Sequence, residues 1–137
     1  MKIDLIMKEE VQRICKEHGI RILAVFGSAV SGKSRDIDFA VFLRKGALPE
    51  SINKLKLISE FELLFKKNPD IAVIHSGTPT TLLFEICRNS ILLYENESGS
   101  FENERSIAFR KYADTFKFRQ LREETIRNFV EGSQNVS

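Results

Sequence analysis

The segment at residues 25–43, VFGSAVSGKSRDIDFAVFL, leaves this chain few ways to fold. It begins inside a short apolar run (Ile20, Ile22, Leu23, Ala24, Val25, Phe26) that breaks at Gly27-Ser28. A short polar connection follows, and Asp36-Ile37-Asp38 then opens directly into a second apolar run at residues 39–43. Strand side chains alternate faces with a period of two, so Asp36 and Asp38 point the same way, roughly 7 Å apart. Neighbouring carboxylates repel each other and lose solvation when partly buried. Beside apolar neighbours, such a pair is kept mostly where a cation joins them. Gly27-Ser28, at a strand end before a turn, is a place where backbone N–H groups and a hydroxyl hold a phosphate.

Around this segment the chain alternates helix and strand. Apolar spacing predicts a helix over residues 4–18, ended by Gly19, and then the strand Ile20–Phe26. A second helix is expected to start at Pro49-Glu50-Ser51 and run to Lys67, with a stripe of Ile52, Leu55, Phe61, Leu64 and Phe65. Asn68-Pro69 reads as its break, and residues 70–74 as a buried strand with Asp70 at its very start. Pro79 suits the first turn of a helix over Thr80–Arg88 with Leu82, Leu83, Ile86 and Cys87 inward. A strand at residues 90–94 and a long helix at 101–131 complete the chain. The apolar positions of that helix, from Ala108 and Phe109 to Phe129 and Val130, are expected mostly to pack on its own sheet. Strands alternating with helices argue for an α/β (α+β) fold, a small mixed sheet with helices on one face. A single domain, 1–137, is expected, with a core at 1–95 and a C-terminal helical segment at 100–131 available for docking.

Composition narrows the function classes. With 42% hydrophobic and 29% charged residues, the 137-residue chain is an ordinary globular one. A net charge of +2 does not imply a broad nucleic-acid face, so no template channel is expected. No apolar run reaches the roughly 18 residues of a membrane span, and the N-terminus lacks a signal-peptide pattern, which points to the cytoplasm. The two cysteines, Cys15 and Cys87, are far apart and read as buried apolar residues, and His18 and His75 read as element-end residues.

Gly-Ser, a short loop, then Asp-x-Asp resembles the nucleotidyltransferase superfamily of DNA polymerase beta and kanamycin nucleotidyltransferase. The small size and the C-terminal half resemble the minimal nucleotidyltransferases (MNT), antitoxins encoded beside HEPN-domain toxins. That resemblance implies the polymerase beta-like fold and assigns three carboxylates, Asp36, Asp38 and Asp70, to catalysis and to two Mg²⁺ ions. It places Gly27 and Ser28 on the phosphates of ATP, where Lys33 and Arg35 are further candidate phosphate ligands. It implies transfer of AMP to a hydroxyl, typically a tyrosine, of a HEPN ribonuclease partner in a hetero-oligomer.

The chain departs from the pattern in one respect. Relatives commonly read Gly-Ser-Arg-Ala-Arg-Gly, whereas here both arginines are absent and the loop is shorter. Charge-assisted hydrogen bonds lost beside a triphosphate are worth about 1.5–3 kcal/mol each. A second expectation is therefore an antitoxin that neutralises its toxin by binding alone. A third is a nucleotidyltransferase acting on a small molecule of the aminoglycoside type.

Overall fold

A computed structural model of the protein describes residues 3–27, 30 and 35–134. Helix α1 spans Leu5–His18, with the Asp4 side chain accepting a 2.8 Å bond from the Met7 N–H and Gly19 closing it at φ 69°. Strand β1 (Ile20–Phe26) pairs antiparallel with β2 (Asp36–Leu43) on one side and with β4 (Ser90–Glu95) on the other. Strand β3 (Asn68–Ile74) runs parallel to β2 at the sheet edge, giving the order β3-β2-β1-β4. Helix α2 (Lys54–Phe65) connects β2 to β3, α3 (Thr80–Arg88) connects β3 to β4, and α4 (Ser100–Gln134) follows. Among the described residues, no helix is long and apolar enough to cross a membrane.

The fold class expected from the sequence holds, but the helices divide between the two faces of the sheet. On one face, Val11, Ile14 and Cys15 of α1 and Leu57 and Phe61 of α2 pack on Leu23, Val25, Phe39 and Val41. On the other, Ile86 of α3 and Phe101 of α4 pack on Ile22, Ala24, Ala40 and Phe42. The alternation explains the division: β1 and β2 are apolar at odd and even positions alike, so neither face can be left to water. Phe39 is fully buried, its ring centroid 4.5 Å from that of Phe61. Phe39→Ala is expected to lower unfolding free energy by about 3–5 kcal/mol, read from denaturant melts.

Two boundaries and two facings differ from the pattern read in the sequence. Pro49–Ser51 forms a separate 3₁₀ turn, and α2 begins only after Asn53, whose side chain accepts a 3.1 Å bond from the Lys56 N–H. Strand β3 starts at Asn68 and passes through Pro69, so Asp70 is its third residue. An edge strand tolerates a proline whose missing N–H would face outward. Leu82 and Leu55 lie outward, 40% and 79% exposed.

Helix α4 is the largest departure. At 35 residues it is about 50 Å long, far more than this sheet can cover. Its first three turns are anchored: Phe101 and Ala108 are buried, Phe84 stacks on Tyr112 at 3.8 Å, and Arg119 lies over the Tyr112 ring at 4.1 Å. Beyond that, Phe116, Phe118, Leu121, Ile126, Phe129 and Val130 are all exposed. Only the first half of the stripe expected to pack on the sheet is covered, and chiefly by Phe84 of α3.

Candidate active site

Asp36 opens β2, and Asp38 follows two residues later on the same face. The parallel register sets Asp38 beside Asp70 and Asp36 beside Asn68. All four belong to the even-numbered side that carries Ala40, Phe42 and Ile74, the side covered further along by α3 and α4. Asn68 donates from Nδ2 to Asp36 Oδ1 at 3.3 Å, and its backbone N–H donates to the Arg35 carbonyl at 3.0 Å. The sequence reading missed Asn68 because Asn-Pro reads as a helix stop. The available signal was its position two residues before Asp70, which is the same spacing as Asp36 to Asp38.

At the end of β1, Phe26 pairs with Asp38, so Gly27 sits directly over that carboxylate. Gly27 has φ 74°, and a Cβ on it would lie 2.7 Å from Asp38 Oδ2. Glycine is needed there for backbone conformation and for space at once. Asp38 is half-buried, and its carboxyl is held above the usual carboxylate value, first by burial and then by the charges of Asp70 and Asp36. A pocket of oxygen ligands that raises its own carboxyl in this way favours a bound cation over a bare anion. Hard carboxylate oxygens without nitrogen or sulfur ligands suit Mg²⁺. Asp36, Asp38 and Asp70 therefore fit the ion that the resemblance implies.

The remaining expected residues are less concentrated. Arg35 is exposed and lines a groove of about 720 Å³ at the end of α2 with Glu62, Leu63, Lys66, Lys67 and Asn68. Ser28 and Lys33, with the short turn expected after Gly27, lie outside the described residues. Cys15 and Cys87 are free and buried on opposite faces, and burial pushes their thiols up to about 12 and about 11.

The backbone is similar to solved structures of known description. One is a toxin–antitoxin with AMP-PNP, at TM-score 0.67 and 15% identity, covering 88% of this chain and 98% of that one. A second is a tri-AMPylated Shewanella oneidensis HEPN toxin in complex with an MNT antitoxin, at TM-score 0.65 and 14% identity, covering 89% and 97%. A third is the toxin–antitoxin MntA–HepT, at TM-score 0.64 and 13% identity, covering 90% and 99%. At such identities the likeness speaks to the fold. Among curated proteins no sequence matches. The family model described as polymerase beta, nucleotidyltransferase matches residues 9–99, which contain Gly27, both β2 carboxylates and Asp70; the chain belongs to that family.

Proposed function

We propose that this nucleotidyltransferase is an antitoxin that transfers AMP from ATP to a hydroxyl, a tyrosine in the first instance, of a HEPN-type toxin. The observation that carries the reading is the cross-strand pair Asp38–Asp70 with Asp36 on the same face, under a glycine that leaves room for phosphate. The structural relatives support the acceptor class, since one is a complex with a tri-AMPylated toxin.

Asp36, Asp38 and Asp70 would hold Mg²⁺, which when bound supplies charge neutralisation on the triphosphate and on the leaving pyrophosphate. Asn68 holds Asp36 by its amide, keeping one oxygen of that carboxylate oriented. The acceptor oxygen forms a bond to the α-phosphorus, the bond to the β-phosphate bridging oxygen breaks, and pyrophosphate leaves with that electron pair. Asp70 accepts the acceptor's proton. Gly27 lets the backbone come close to the phosphates, and Ser28, Lys33 and Arg35 are assigned to the same anion. The transferred group is bulky and anionic, and near an RNA-binding surface it repels substrate by charge and size.

Gly27→Ala tests the cradle. A non-glycine residue in the left-handed region costs about 1–2 kcal/mol, and a carboxylate displaced by about 1 Å can lose roughly a hundredfold in rate. Melting curves and transfer rates on the purified variant check both.

The exposed half of α4 favours a second reading, neutralisation by binding alone. Intact-mass spectrometry of the partner after incubation with this protein, ATP and Mg²⁺ separates the two. Additions in whole AMP units establish transfer. A silenced partner of unchanged mass overturns it in favour of binding.

A further inference from the structure

A second group of ligating side chains lies at the other end of β1 from Gly27, about 20 Å away along the strand. His18 is the last residue of α1, and Glu60 projects from α2 to meet it. His18 Nε2 and Glu60 Oε1 are 3.1 Å apart, with side chains only 6% and 18% exposed. One ligand atom from each of Glu17, His18 and Glu60 lies within 4.8 Å of the other two. The other oxygen of Glu60, Oε2, is buried and has no hydrogen-bond partner among the described residues. A cleft of about 400 Å³, lined by Glu17, His18, Asn53 and Lys56 among others, opens onto the group.

A single ring nitrogen can serve only one carboxylate oxygen, and a buried carboxylate oxygen left unserved is costly. A divalent cation serves both oxygens of Glu60 and the imidazole together. Glu17 is at present held at the surface by Lys56 and Arg13, each at 3.1 Å. These pairs are solvent-exposed and contribute little, so a metal displaces Lys56 from Glu17 readily. One imidazole and two carboxylates, with room for water in a fourth position, is a donor set for Zn²⁺. We propose that Glu17, His18 and Glu60 form a Zn²⁺ site that ties the end of α1 to α2, separate from the carboxylates of β2 and β3.

The test is Zn²⁺ binding to the full chain, measured by competition with a chromophoric chelator, with Co²⁺ as a spectroscopic stand-in. Wild type and the Asp36→Asn/Asp38→Asn/Asp70→Asn variant should each retain one equivalent at this site. His18→Gln keeps a hydrogen-bond donor for Glu60 and the fold, but removes the imidazole. Its affinity should fall by at least the 10–100-fold that loss of an outer-shell partner costs, and the Co²⁺ visible bands should vanish. Zn²⁺ should raise the melting temperature of the triple-Asn protein but not that of the triple-Asn protein that also carries His18→Gln. The proposal is overturned if the triple-Asn variant binds no Zn²⁺, or if adding His18→Gln to it leaves Zn²⁺ bound as tightly.

Discussion

Under the proposed function, Asn in place of both Asp36 and Asp38 will cut AMP transfer by about a thousandfold or more, while the metal-free protein melts at the same temperature or higher. The rate falls because charge neutralisation on the triphosphate, worth several kcal/mol, is lost with the ligands, and each 1.36 kcal/mol is a factor of ten. Stability moves the other way. Burial and the charges of Asp70 and Asp36 raise the Asp38 carboxyl in the folded state. Between the unfolded value of about 3.9 and that raised value, the folded protein holds more protons than the unfolded chain. Stability therefore falls as pH rises through this window, and solvent screening keeps the slope shallow. The double Asn variant removes Asp38's part of that slope. Acidification through the same window also protonates the ligand and lowers transfer. Rates and melting temperatures across pH, for both proteins, check the two arms together; a variant that loses rate only because it unfolds would refute the assignment.

Under the proposed function, aspartate at both Phe118 and Phe129 will dissociate the complex with the HEPN-type partner while leaving the fold intact. The two rings are 75% and 76% exposed, three helical turns apart on one face of α4, with Leu121 between them. Substitutions at such positions change folding stability by about 0.5 kcal/mol or less. An aromatic anchor buried in an interface is worth about 2 kcal/mol or more, so the pair should weaken binding by roughly two to three orders of magnitude. Titration of the toxin against each antitoxin reads this directly. At saturating concentrations the variant should still transfer AMP, since the helix lies outside the carboxylate cluster. Unchanged affinity would remove α4 from the docking role.

The sequence pattern was legible wherever one local signal dominated. Gly19 ends α1 as its position predicts, the apolar run after Asp38 gave the extent of β2, and the strand period of two gave the common face of Asp36 and Asp38. Asp70 was found, but its partner in β2 was settled only by the parallel register, which joins residues 32 apart. Where two signals competed, local reading lost. Asn68-Pro69 carries a turn signal, yet an edge strand accommodates it and gains the Asn68–Asp36 bond. Pro49 carries a helix-start signal, yet the Asn53 side chain caps the helix that forms. The apolar stripe of α4 has one periodicity throughout, and periodicity alone does not say whether the sheet extends far enough to cover it.

The pairing of β2 with its neighbours also guards the chemistry against error. A one-residue slip of β2 would turn Asp36 and Asp38 toward α1 and α2, and would carry Ile37, Phe39 and Val41, all 0% exposed, from their places against those helices to the opposite face. Each displaced side chain loses the packing it has now, and each carboxylate driven inward costs several kcal/mol. The register that fills the two cores is thus also what holds the three carboxylates on one face.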